Sequence, residues 1–474
     1  MLLLLGASFS GLSYASAVAA PGVIGGPDAG AATASPIAPH YNPAALGGVT
    51  APQVLLDAQV AAIRLDLTAT RNDGLDPQTC DDVPGPDPST WTGCEPYADA
   101  EARVQVPVFI AGVALPVIPK RLAVGFAVTD VFVGGGDYRA SEPDDEPPFV
   151  GHQRYFGVNT QIVTVSLIPA AALTVIDGLH VGAGLRYTID MIAATQASNL
   201  GLEGRGPLGA DPLLDATTLG SHLGWNVGVF FDRVEKAQVG ISFAHNGTFQ
   251  SEGDGTVLVP EGPLSPGEAT TLDARVTVEM PLADVVYAAV ASKVTDDLTL
   301  GAGLEWQMWG GCCSDADGDL AIGVTDPNGD QLALGELTVA TEQWSPRRLR
   351  NTMDLNVNGG YQVSDPLWLG LRFGYNQHGV PDYAVSATNL DFDNAGVVLG
   401  ARYKLKALEL GLTYEKFLLF EREITDSAWG AATDSDDYVD ERFSPGPAPP
   451  LQVSANGTYA GAVDIFGVRV GATF

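Results

Sequence analysis

In the stretch "LHVGAGLRYTID" (179–190), apolar and polar positions alternate. Leu179, Val181, Ala183, Leu185, Tyr187 and Ile189 fall on one side, and His180, Gly182, Gly184, Arg186, Thr188 and Asp190 on the other. Successive side chains of a β-strand point to opposite faces, so the stretch predicts a strand with one apolar face and one small or polar face. The pattern recurs at 298–308, 367–375, 398–405 and 408–415. In each, Leu, Ala, Tyr, Phe, Trp or Met share one face, and Gly, Arg, Glu, Lys, Thr or Gln dominate the other. Trp368 is a bulky exception on the polar side.

A water-soluble sandwich also alternates, so the connections carry the distinction. Brief ones ("VIPKR" 117–121, "IDG" 176–178, "DRVEK" 232–236, "VTDD" 294–297, "VSDP" 363–366, "KLKA" 404–407) alternate with long polar ones. The long ones lie near 72–102, 134–152, 194–220, 310–346, 376–391 and 419–456. Short turns on one side and extended loops on the other are the habit of outer-membrane barrels. The chain ends "DIFGVRVGATF", with Phe466, Val468, Val470, Ala472 and Phe474 on one face. We count about fourteen strands; an even number puts both ends on the periplasmic side. An apolar face turned to lipid requires every backbone group to be satisfied internally, which a closed barrel achieves. The expected fold is therefore all-β: a transmembrane antiparallel barrel in the outer membrane, its partners there being lipid and lipopolysaccharide.

Composition narrows this further. The 474 residues carry 57 Asp+Glu against 24 Lys+Arg, a net charge of −33. Nucleic acid is excluded as a partner, because phosphate contacts need clustered Lys and Arg. Hydrophobic residues at 46% are too many for a disordered chain. The opening "MLLLLGASFSGLSYASAVAAPG" reads as a signal peptide over residues 1–19, with small residues at Ala17 and Ala19 suited to cleavage. In an exported chain, Cys80 and Cys94, which bracket a Pro/Asp/Gly-rich loop, are expected to form a disulfide. Cys312 and Cys313 are adjacent; a vicinal disulfide and free thiols both remain open. Asp315, Asp317, Asp319, Asp326 and Asp330 cluster as calcium ligands can. Gly318 is misplaced for an EF-hand loop, however, and no glutamate closes it, so a solvated acidic loop is expected. His180 and His245 lack metal-ligand spacing. No cofactor or metal motif, nucleophile elbow or P-loop occurs, and no enzyme is expected.

Ahead of the first patterned segment, "ATASPIAPHYNPAALGG" holds no Lys or Arg. With the strand that follows, it resembles the outer-membrane transport family of long-chain fatty acid and toluene channels, the FadL/TodX type. "RYFGVNTQIVTVSLIPAAALTVIDGLHVGAGLRY", "WNVGVFFDRVEKAQVGISFAHNGTFQSEGDG", "LTLGAGLEWQMW", "GVPDYAV" and "NGTYAGAVDIFGVRVGATF" are similar to the family in the same order. The resemblance implies a fourteen-stranded barrel over 53–474 with long acidic outer loops. It also implies a small hatch over 20–52, in which Asn42, Pro43 and Ala44 form the family's Asn-Pro-Ala motif. It implies passive, monomeric uptake of a hydrophobic ligand, a fatty acid or hydrocarbon. The chain departs from the family in a shorter lead without its arginine, and in Phe243-Ala244-His245 where the family tends to show Tyr-Arg-Ser.

The motif also has a local reading. Pro43 fixes its own φ and biases Asn42 away from helix, while Asn42 can bond nearby backbone. A plain turn before a strand would read the same way. By strand parity Arg186, Arg372, Arg402, Lys404, Arg469, Glu305, Glu409 and Glu415 face the lumen. Two uses are open: the arginines with Glu305 orient a carboxylate-headed ligand, or arginines and glutamates pair to fill a polar interior. A non-transporting surface barrel or a barrel enzyme are the alternatives to a channel.

Overall fold

The structure is a computed structural model. It describes residues 26–69, 100–137, 159–197, 213–234, 236–259, 261, 265, 267–314, 320–334, 337–338, 342–345, 347–386, 389–425, 427 and 455–474. The signal-peptide region, Cys80, Cys94, Asp315, Asp317 and Asp319 lie outside these residues.

Fourteen antiparallel barrel strands run through the described residues. The first six are β1 (Gln53–Ala69), β2 (Ala100–Ile118), β3 (Leu122–Asp137), β4 (Asn159–Ile176), β5 (Leu179–Ala197) and β6 (Leu213–Val234). The next four are interrupted. They are β7 (Ala237–His245 and Thr248–Val259), β8 (Thr270–Pro281 and Val285–Lys293), β9 (Leu298–Gln307 and Leu320–Thr325) and β10 (Glu342–Ser345 and Thr352–Ser364). The last four are β11 (Leu367–Asn376), β12 (Asn394–Leu405), β13 (Leu408–Ile424) and β14 (Gly457–Thr473). Each pairs with the next, and β14 pairs with β1 from Gly457↔Ala69 to Thr473↔Gln53, which closes the sheet. Closure leaves no edge with unpaired amides, the condition for standing in hydrocarbon.

The short connections fall at one end of the barrel. Lys120 and Lys406 adopt positive φ in two of these turns (60° and 58°), and Gly178 takes 74° in a third. Such left-handed residues let a tight hairpin follow the strand twist.

Exposure follows the predicted parity. On β5 and β6, Leu185 is 61% and Leu223 68% exposed, whereas Arg186 is 2% exposed. The outward apolar band on β1 runs from Val54 to Ala62, then gives way to Arg64 and Asp66. That length agrees with the ~9–11 residues a tilted strand needs to cross the hydrocarbon. Arg64 bonds Asp66 at 3.1 Å and Glu101 of β2 at 3.2 Å. Further round, Lys416 of β13 meets Asp464 of β14 at 2.7 Å. These pairs mark the outer interface.

Above that level the two faces exchange character. On β1 the lumen side reads Asp57 and Gln59 within the membrane but Ile63, Leu65 and Leu67 beyond it, all buried. Those residues join an apolar core with Val106, Val108, Phe249, Val276 and Tyr459 among others. The strands thus continue outward past the lipid, and segments expected as loop are partly strand. Leu320–Thr325 and Glu342–Ser345, inside the supposed 310–346 loop, pair with each other, and Leu320–Thr325 also adds to β8. β13 likewise runs to Ile424. These pieces hold few residues each, so their alternation was too brief to register as strands.

Candidate functional site: the amino-terminal segment in the lumen

Residues 26–52 precede β1 and lie against lumen faces on both sides of the barrel. Pro36 and Leu46 approach Gly112 and Gly125 of β2 and β3, while Pro27 approaches Gly370 and Gly400 of β11 and β12. Two short helical turns organise the segment. The first, Ala38–Tyr41, has Pro at its start, where a missing N–H costs nothing. It ends at Asn42, which is extended (φ −154°, ψ 101°) as a residue before proline prefers. The second is a 3₁₀ turn, Pro43–Gly48.

Asn42 joins three pieces of structure. Its Oδ1 accepts the Ala44 N–H at 3.1 Å and so caps the 3₁₀ turn. Its Nδ2 donates to the Ala31 carbonyl at 2.9 Å, tying the earlier part of the segment, and to the Val229 carbonyl of β6 at 3.0 Å, tying the wall. The side chain is wholly buried. Ala44, Ala45 and Leu46 are also fully buried, and they pack with Ala114, Ala123, Ala170, Ala172 and Phe230 of the wall. The fit is close: a Cβ at Gly228 would fall 2.1 Å from Asn42 Oδ1, and one at Gly182 would fall 2.3 Å from the Ala44 nitrogen.

The four candidate arginines are all engaged. Arg186 donates to the His40 carbonyl at 2.7 Å and to Asn246 Oδ1 at 3.1 Å. Arg372 donates to the Ala29 carbonyl at 3.0 Å. Arg402 pairs with Asp28 at 2.6 Å while its guanidinium lies 3.5 Å over the Trp368 ring. Trp368, the exception to the small-polar lumen face, therefore holds this arginine in place. Arg469 pairs with the buried Asp57 at 3.0 Å and lies beside Gly26. Their hydrogen bonds and ion pairs go chiefly to the segment and to Asp57. Wall side chains add Asn226 to the Pro39 carbonyl at 2.7 Å, and Ser242 to the Tyr41 carbonyl. His40, buried beside Arg186, has its imidazole pKa held well below the usual range, by burial first and by the guanidinium second.

Between the segment and β8–β13 lies a cavity of about 120 Å³, lined by Tyr41, Tyr287, Glu305, Asp354, Arg372 and Phe417 among others. Glu305 sits on it, directly across the strand pair from Asp354. Cys312 and Cys313 are joined as a disulfide, in the interruption of β9. Among the described residues no three His, Cys, Asp or Glu side chains gather to hold a metal.

A closed fourteen-stranded barrel with its amino-terminal segment drawn into the lumen can be compared with known proteins. The sequence matches the family described as outer membrane protein transport protein (OMPP1/FadL/TodX) over residues 14–427. The chain belongs to this family. It therefore resides in the outer membrane, in a family of transport channels rather than enzymes. No curated protein matches the sequence. Solved structures share the fold. The Pseudomonas aeruginosa FadL homologue superposes with a TM-score of 0.67 at 17% identity, over 96% of each chain. The P. putida toluene transporter TodX gives 0.62 at 12% identity, over 94% of this chain and 99% of that one. The Ralstonia pickettii toluene transporter TbuX gives 0.58 at 13% identity, over 96% and 98%.

Several residues at the site were not singled out from sequence: Asp28, His40, Asp57, Asn226, Ser242 and Asp354. Parity contained a signal for two of them. Asp57 falls on the lumen side of β1, and Asp354, Asn356 and Asn358 alternate with Met353, Leu355 and Val357 on β10.

Proposed function

We propose that the protein carries hydrophobic molecules passively across the outer membrane. The molecule is captured by the outer loops, moves into the lumen, and is released when the segment 20–52 shifts as a hatch. The observation that carries this reading is the segment itself. Buried, it is held to the wall by Asn42 and by Arg186, Arg372 and Arg402 beneath an apolar outer core. Individually these bonds are exchangeable, since each contributes only ~0.5–3 kcal/mol net. Burial of an apolar chain contributes ~0.8 kcal/mol per CH₂, enough to drive capture from water without an energy source. The relatives named as toluene transporters, and the FadL homologue, favour aromatic hydrocarbons or fatty acids as cargo. The barrel works as a monomer in lipid, with lipopolysaccharide about its outer loops.

Uptake of labelled oleate or toluene into cells depending on this protein tests the reading. Asn42→Ala and Pro43→Gly are expected to change uptake while the barrel keeps its heat-modifiable migration on gels. Parent-like uptake in both assembled variants would overturn the hatch. No uptake by the parent of either compound would overturn the channel.

A further inference from the structure

The lumen cavity has a charge pattern that the transport reading alone does not require. Among the described residues lining it, the charged ones are Asp28, Glu305, Asp354 and Arg372. Asp28 is taken up by Arg402, and Arg372 gives a hydrogen bond to the Ala29 carbonyl. Glu305 accepts from Gln307 at 3.0 Å. Asp354 differs, because its Oδ1 is buried and has no hydrogen-bond partner. Glu305 and Asp354 are opposite each other on β9 and β10, where like charges repel. Arg372 lies in the fields of Glu305, Asp354 and Glu415, and Glu305 also lies in the field of Arg186. With Asp28 set against Arg402, two carboxyl groups lining the cavity, Glu305 and Asp354, stand against one guanidinium, Arg372.

An anionic head group would add a charge of the wrong sign here. A cation would meet the orphaned Asp354 oxygen and remove the repulsion across the strand pair. The cavity is also amphipathic: Ala31, Ala289, Val398 and Phe417 form part of its wall. Phe417 belongs to the apolar core that continues outward. We propose that this cavity binds the ammonium head of an alkylamine-type amphiphile between Asp354 and Glu305, with the chain leaving past Phe417. The inference rests on the channel reading and names a cargo class for it. The net charge of −33 works in the same direction by drawing cations toward the protein.

The test is equilibrium dialysis of the full chain in a non-ionic detergent, with decylammonium, decanol and decanoate. It is run at high salt so that diffuse attraction is screened. Decylammonium is expected to bind about tenfold or more tightly than decanoate, a difference of ~1.4 kcal/mol. Asp354→Asn should bring the ammonium-to-decanol affinity ratio down by a similar factor. Should that variant not assemble, Glu305→Gln reads the same ratio. Decanoate binding as tightly as decylammonium, or a ratio unmoved by the substitution, would overturn this proposal while binding of decanol left the channel reading standing. If none of the three compounds bound, both would fall.

Discussion

The orientation of single residues was the most legible property of the sequence; their partners were the least. Parity placed Arg186, Arg372, Arg402 and Arg469 inside, and each is inside. It could not pair Arg402 with Asp28, 374 residues away, because that contact depends on how the segment crosses the lumen. The same holds for Asn42 and Val229, 187 residues apart. Orientation itself yields a direct test. Leu185→Arg sets a charge against lipid, at a cost of ~2–4 kcal/mol near the midplane. Assembled barrel should fall sharply relative to the parent on heat-modifiability gels. Ser166→Arg, on the buried lumen side of β4, avoids lipid and should assemble better than Leu185→Arg. A reversed order would place the lipid on the other face. At the segment, Trp368→Leu removes the ring beneath Arg402 but keeps the Arg402–Asp28 pair within reach. The pair should loosen, giving faster protease cleavage near Asp28 than in the parent, with the barrel intact.

At the scale of elements, strong repeated alternation was legible and short outer strands were not. β5 and β14 present many alternating residues, whereas Glu342–Ser345 has too few to declare a period. Loop geometry was also invisible, yet it is ordered in the connection between β11 and β12. There the Asp391 carboxylate accepts the Gly379 N–H at 2.6 Å and the Phe392 N–H at 2.7 Å. Arg422 reaches over from β13 to the Asp391 and Val380 carbonyls at 2.6 and 3.0 Å. Burial is the main cause that pushes the Asp391 carboxyl up to about 7 from 3.8, against the pull of those amides and of Arg422. A carboxyl that holds its proton more tightly in the closed loop favours closure when protonated. That preference is full below about pH 4 and is lost as pH rises through about 7. Proteolytic cutting within 377–393 should therefore increase from pH 5 to pH 8. Asp391→Asn, neutral throughout, should flatten the profile; a profile unchanged by that substitution would remove Asp391 as its cause.

At the scale of the whole molecule, the amino-terminal segment lies against lumen faces on both sides of the barrel. Its resemblance to a hatch was available from the order of motifs along the chain. What sequence could not reveal is how the lumen accommodates it. The wall presents glycine at several of the closest approaches of the segment, as at Gly182 and Gly228, and arginines bond it elsewhere. Removing residues 26–48 would take away Asn42, the buried Ala44–Leu46 turn and the acceptors of Arg186 and Arg372, while leaving every strand pairing of β1 to β14 in place. The barrel should still assemble and shift on heating, because closure depends on the sheet and not on its contents. Its bore would then be lined by the wall side chains alone and filled with water. In planar bilayers the deletion variant is expected to show large, steady conductance steps, and the parent small or rare ones. Gly182→Leu offers a finer version, since its side chain would collide with the Ala44 backbone and displace the segment without deleting it. Its conductance should fall between the two. If the deleted barrel assembled and conducted no more than the parent, the lumen would be closed by the wall and outer core alone, and the segment would have no part in gating.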